Sequence, residues 1–205
     1  MKYFLYLIIL LSQPAQAQPD WRLSLRTGQS LYLDAGYGLV TDSPLHSSGE
    51  VSLDYLALPL SSKSSLGLGA AYHVSGLDGS VYGDVETRLM LRSARAHALY
   101  RWAASDSLAV IGRVGAAHRT TRMTLIDLSR ELDVEVDHWG VHGGLGVDYL
   151  FGEPSPVDMD QSCLGLSLEL TYSHFAPLDL TAGGTPLGAL DPSGPGWLMG
   201  LTYVW

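Results

Sequence analysis

The chain is poor in three things. Its 205 residues hold a single cysteine, few charges, and no long apolar run. A lone Cys163 permits no internal disulfide, which excludes a cystine-stapled domain even in an oxidising compartment. Only 16% of residues are charged, and 12 Lys+Arg face 21 Asp+Glu, which excludes a basic patch of the kind that holds nucleic acid. The longest apolar stretch, Phe4–Leu11, falls far short of the ~20 residues a membrane helix needs. No phosphate-binding loop, zinc-ligand spacing or nucleophile elbow is present, and no cofactor is implied.

That short apolar stretch has a different use. Lys2 precedes it, and Ala15-Gln-Ala17 follows it in the small-x-small pattern of a cleavage site. Residues 1–17 therefore read as a secretory signal peptide. Its removal takes Lys2 away and leaves 11 basic against 21 acidic side chains, a net charge of −10.

What remains is rich in alternation. Apolar and polar residues exchange with period 2, and Gly, Pro, Ser and Asp clusters break the pattern at the spacing of a β-meander. Eight strands are expected: Gln29–Val40, Glu50–Leu60, Ser65–Val74, Glu86–Trp102, one starting at Ser107, one ending near Phe151, one through Leu164–Tyr172, and Gly196–Trp205. Residues 18–28 read either as a periplasmic leader or as the start of the first strand. Trp21–Arg26 alternates too, leaving eight or ten strands open. Each strand has about 10 residues, enough to cross a bilayer when tilted.

The last strand is the most telling. Met199, Leu201, Tyr203 and Trp205 share one face, with no charge among them. Such a face suits lipid. Other outward rings also fall at strand ends: Tyr37, Tyr72, Trp139, Tyr172 and Trp197 toward the long loops, and Trp102, Tyr149 and Tyr203 toward the short turns. Two aromatic girdles mark the two headgroup levels of a membrane barrel. A soluble β-sandwich shares the alternation but turns its rings into a core.

The inward residues are polar or small. Asp34, Asp54, Asp148 and Glu169 oppose Arg95, Arg101 and Arg113, with His73, His97 and His142 on the same faces. An eight-stranded barrel has room for little besides its side chains. Buried charges must then pair, so the interior reads as a plug. Exchange of those pairs along an ion path is the alternative. Outside, Arg119–Asp137 reads as a protruding hairpin with an acidic face (Glu131, Asp133, Glu135, Asp137) and an apolar face. It offers a strand edge to an extracellular protein partner, or carboxylates to a divalent cation. Phe175–Pro195 reads as a cap without catalytic groups.

The end of the chain, Gly200, Tyr203 and Trp205, resembles the C-terminal signal that barrel-insertion machinery reads in outer-membrane proteins. Leu198 departs from the pattern. With eight amphipathic strands and two girdles, residues 29–205 resemble the small OmpA/OmpX-like outer-membrane barrel superfamily. The resemblance implies an all-β, eight-stranded antiparallel transmembrane barrel with short periplasmic turns and long extracellular loops. It implies a monomer in the outer membrane, among its lipids and lipopolysaccharide. A structural or surface-interaction role follows, in membrane integrity, adhesion or binding, without catalysis. A narrow channel for small hydrophobic or ionic solutes is the second reading. A lipid A-modifying enzyme is the third. Ser173-His174-Phe175 looks somewhat like the His-x-Ser motif of lipid A deacylases, but Ala176 stands where the nucleophile belongs.

Overall fold

The computed structural model describes residues 20–32, 43–81, 85–127, 130–151, 162–182 and 185–205. The expected signal segment, Asp34, Tyr37 and residues 152–161, between the sixth and seventh expected strands, lie outside them. The described residues form ten strands: β1 (Asp20–Leu31), β2 (Leu45–Ser61), β3 (Ser64–Val81), β4 (Val85–Ala103), β5 (Leu108–Asp127), β6 (Arg130–Phe151), β7 (Cys163–Phe175), β8 (Leu178–Ala182), β9 (Thr185–Leu190) and β10 (Gly194–Val204). Eight of them close into an antiparallel barrel, in ring order β1-β10-β7-β6-β5-β4-β3-β2; β8 and β9 form a separate hairpin.

The ring closes through the two ends of the described chain. β1 pairs with β10 from Arg22 opposite Val204 to Ser30 opposite Gly196. Trp21 and Trp205 exchange backbone hydrogen bonds of 2.9 and 3.0 Å. This corrects the expected first strand, Gln29–Val40. The ring takes Asp20–Leu31 instead, so Trp21–Arg26 is wall rather than leader, and the ring has eight strands. Residues 31–39 alternate equally well in sequence; Asp20–Leu31 pairs with both β10 and β2, and residues 33–40 of the expected first strand lie outside the described residues.

Two other expectations shift. Between the expected strands, residues 45–49 and 75–81 are strand rather than loop, because β2 starts at Leu45 and β3 runs to Val81. The predicted loop Phe175–Pro195 contains the β8–β9 hairpin, in which Leu178 lies opposite Leu190.

The wall is uneven in height. β2 and β3 pair up to Ser47–Gly76, whereas β3 and β4 continue to Val81–Val85, and β5 and β6 to Asp127–Arg130. On the far side, β6 meets β7 only from Gly140 opposite Phe175 downward. β3 to β6 thus stand as a four-stranded wall above the rest of the ring.

Polarity inverts along these strands while alternation continues unbroken. On β4, Ala94, Ala96, Ala98, Tyr100 and Trp102 face outward below, and Glu86, Arg88 and Arg92 face outward above. The inward side does the opposite: Arg95 and His97 below, Leu89 and Leu91 above. β6 switches between Asp137 and Trp139. Below the switch, large apolar side chains face out all round the ring, with Leu25 67%, Leu68 70%, Val114 66%, Leu145 63% and Leu170 65% exposed. So much bare hydrocarbon fits a bilayer and not water. Above the switch the outer face is hydrated and the apolar face turns inward.

Candidate functional site: a charged plug beneath a capped wall

Inside the membrane segment, four arginines meet four carboxylates. In the lower tier Arg22 donates to Asp148 from Nε (2.7 Å) and Nη2 (2.8 Å), and to Asp54 from Nη1 (2.7 Å). His97 Nε2 lies 2.7 Å from Asp54 Oδ1. In the upper tier Arg26 bridges Glu50 and Glu169, and Arg95 Nη1 reaches Glu50 at 2.6 Å. Arg113 joins the tiers, 2.9 Å from Asp54 and 3.3 Å from Glu169. All eight ionic side chains are buried. Opposite charges balance within the network, as a low-dielectric interior requires.

Glycine makes the room. A Cβ on Gly69 would overlap Asp54 Oδ1, and one on Gly144 would overlap Glu169 Oε1. Both carboxylates therefore lie flat against a neighbouring strand where no side chain stands. Below the network Leu56, Leu99 and Ile111 pack together as a floor.

Of the residues singled out in the sequence, Asp54, Asp148, Glu169, Arg95 and Arg113 meet in this network. Arg101 does not. It points inward on β4 but lies below the floor, half-exposed at the turn-side mouth, and forms no ion pair among the described residues. Asp34 lies outside the described residues. Arg22, Arg26 and Glu50 are the members that sequence reasoning missed. The first two sit on the strand assigned too late in the chain. Glu50 stands at the expected start of its strand, where a carboxylate reads as solvated.

Above the plug the barrel closes a second time. Tyr32, Leu89, Leu91, Met123, Leu178 and Leu190 form a buried apolar cluster, with Leu125, Val134 and Val136 against it. Leu178 and Leu190 come from the β8–β9 hairpin, which covers the inner face of the wall. Arg119 pins this cap from below. Its Nε donates to Ser93 Oγ (2.9 Å), its Nη1 donates to Pro192 O (2.6 Å), and its guanidinium lies 3.8 Å from the centre of the Phe175 ring. Cation–π attraction and charge-assisted hydrogen bonds thus tie the return to β10 against β4 and β7.

The outer face of the wall carries the acidic row. Asp133 accepts from Arg122 Nη2 (2.5 Å) and from Thr124 Oγ1 (2.5 Å), and Asp137 accepts from Thr120 Oγ1 (2.6 Å). Arg122 holds the Asp133 carboxyl below the usual carboxylate range. Among the described residues, no group of three His, Cys, Asp or Glu is placed to hold a metal ion. Among the described residues, 131–139 have a strand ladder toward β5 only.

The rings lie where the polarity changes. Tyr72, Trp139, Tyr172 and Trp197 are exposed toward the loop side, and Trp102, Tyr149 and Tyr203 toward the turn side. Trp21 joins the lower set, its ring 4.7 Å from that of Tyr55, and Tyr203 stacks 5.4 Å from Trp205. Gly200 lies opposite Arg26 across the closing seam. Ser173 and His174 face opposite sides of β7. His174 Nδ1 lies 3.3 Å from Ser193 Oγ, a hydroxyl already held by the backbone N–H and carbonyl of Phe175 at 2.9 and 3.1 Å. That serine braces the β7–β10 junction.

No protein-family model and no curated protein sequence matches this chain. Its fold, however, is shared with small outer-membrane barrels. The Yersinia pestis attachment invasion locus protein Ail, solved in complex with the heparin analogue sucrose octasulfate, superposes with a TM-score of 0.53 at 12% identity, over 92% of this chain and 100% of that one. Neisserial surface protein A gives a TM-score of 0.53 at 15% identity, over 90% of this chain and 96% of that one. The chain is thus an eight-stranded β-barrel of the outer-membrane type.

Proposed function

We propose that this barrel is a non-conducting, non-enzymatic protein of the outer membrane whose working surface is the β3–β6 wall. The carrying observation is the inversion of polarity. Everything below the girdle is built to sit in lipid with a sealed interior. Everything above it is built as a rigid, hydrated, acidic face. A channel needs a continuous polar path, whereas here a leucine floor, an ionic plug and an apolar cap lie in series. A flexible loop crown would leave the wall's inner face in water, and the cap removes that need.

The surface itself suggests the partner's chemistry. Glu131, Asp133, Glu135 and Asp137 repeat along one face of β6, beside a backbone edge without a ladder on the β7 side. An extended segment of a surface protein with basic residues at alternate positions matches both features. Fold alone does not choose this role, since barrels of this kind host several. Nor does the sulfated ligand of Ail transfer readily, because the outer face here is mostly acidic. The signal segment at residues 1–17 accounts for export.

The test is a shortened wall. Replacing residues 120–137 with a tight turn removes the whole acidic row and leaves the plug and both girdles intact. Cells displaying the full chain are expected to retain a lysine-rich extended peptide, and cells displaying the shortened chain to lose it. Both proteins should still shift in electrophoretic mobility on boiling. Equal retention by both would refute the wall as the working surface.

A further inference from the structure

The outer surface carries a cleft of about 290 Å3 between β3, β4, β5 and β6. It takes no part in the plug, and it borders the proposed binding face, sharing Glu135 with the acidic row and reaching Asp133 through Arg122. Tyr72, Arg92, Ala94, His118, Arg122 and Glu135 line it. Its height is set by register. Tyr72 lies opposite Ala94, Ala94 opposite His118, and His118 opposite Trp139, a row at the upper girdle. Arg92 and Arg122 stand just above that row. The cleft therefore straddles the level at which hydrocarbon gives way to headgroups.

Arg92 is the informative residue. It is exposed, and the sulfur of Met90, 3.2 Å from its Nε, is its hydrogen-bond contact. Among the described residues no carboxylate lies within ion-pair reach of it, although the chain is strongly acidic. Arg122 gives Nη2 to Asp133 and leaves its other donors for the cleft. His118 is held edge-on to Trp139, ring centres 4.8 Å apart. A guanidinium fork at a membrane interface matches the paired oxygens of a phosphate.

Below the cleft the lipid-facing side chains are small. Ala96 lies opposite both Ala70 and Ala116, with Ala94 above it and Ala98 below it on β4. Larger side chains (leucines, Met199 and rings) occupy the corresponding positions on β7 and β10. The result is a shallow trough leading down from Arg92 into the apolar band. Lipid tails gain no hydrophobic energy there, since they already sit in hydrocarbon. The trough selects by van der Waals fit, and the headgroup supplies the specificity.

We propose that this cleft holds the phosphate-bearing headgroup of an outer-leaflet lipid, with one acyl chain lying in the alanine trough beneath it. Arg92 is the principal phosphate ligand, with Arg122 and His118 as further donors. Glu135 opposes the phosphate and limits the affinity.

The experiment uses the purified full chain in maltoside micelles and bisphosphorylated lipid A as the probe, with bound lipid read by native mass spectrometry. Wild type is expected to retain the probe, and its dephosphorylated counterpart at least tenfold more weakly. Arg92→Gln is expected to weaken retention at least tenfold. Ala96→Leu should weaken it while keeping the preference for the phosphorylated form. Glu135→Gln should tighten binding several-fold, a gain that no loss of fold can mimic. Each variant is checked for its boiling-dependent mobility shift. Equal retention by wild type and Arg92→Gln, or indifference to the phosphates, would overturn the proposal. Complete displacement by equimolar inorganic phosphate would also overturn it, by making the cleft a free-anion site.

Discussion

Arg22→Met is the sharpest perturbation of the plug. The substitution keeps most of the buried stem and removes three charge-assisted hydrogen bonds, two to Asp148 and one to Asp54. Such bonds are worth about 1.5–3 kcal/mol each when broken singly. Against that stands the desolvation cost of the guanidinium, which the variant no longer bears. Asp54 keeps His97 and Arg113 as partners, but Asp148 loses the ligand that holds both its oxygens. The network also acquires a buried net negative charge. Removing one partner of a buried pair costs about 3–5 kcal/mol, and that is the loss expected here. Urea unfolding of the barrel in lipid vesicles, followed by tryptophan fluorescence, reads it directly. Adding Asp148→Leu restores charge balance, so the double variant should be more stable than the sum of the single losses by about 1 kcal/mol or more. Arg101→Met is the control, with a change within about 0.5 kcal/mol. A loss below about 1 kcal/mol for Arg22→Met, or strict additivity with Asp148→Leu, would refute the network as a single electrostatic unit.

Other expectations rest on the same layers. Leu145→Arg places a charge on the lipid face and should cost about 2–4 kcal/mol in vesicles, whereas Glu135→Arg, above the girdle, should leave unfolding unchanged. Arg119→Ala frees Pro192 and Phe175, and amides of residues 178–190 should then exchange hydrogen markedly faster while those of β7 stay protected. Because Arg122 holds the Asp133 carboxyl low, that pair should persist as pH falls past the ordinary aspartate range and dissolve only in stronger acid. An NMR titration of the Asp133 carboxyl should show the lowered midpoint in wild type and a higher one in Arg122→Gln, with the Thr124 hydroxyl still donating to the carboxylate.

Much of the barrel is legible in the sequence because a membrane enforces period 2 strictly. The outward faces of Ser65–Val74, Glu86–Trp102, Leu164–Tyr172 and Gly196–Trp205 follow directly from alternation, and the rings at their ends mark the bilayer's height. Partner choice is a different kind of information. Trp21–Arg26 and Leu31–Leu39 alternate equally well. What marks Trp21–Arg26 as wall is that Arg22 faces Asp54 and Asp148, 32 and 126 residues away in sequence. Alternation also assigns a face without a height, which is why it groups Arg101 with Arg95 and Arg113 although Arg101 lies beneath Leu99. The apolar rows Leu132, Val134, Val136 and Leu89, Leu91 are visible as patterns. The burial of Leu89 and Leu91, with Val134 and Val136 against them, depends on a short hairpin whose Leu178 and Leu190 give no periodic signal of their own.

The central claim is that the barrel is sealed. Planar-bilayer recording of the purified, boiling-sensitive protein tests it most directly. A sealed barrel predicts a silent membrane at both polarities, for wild type and for Arg113→Ala alike, since floor and cap remain when one plug arginine is removed. Discrete conductance steps from wild type, altered in size by Arg113→Ala, would contradict it and make the ionic network a gate.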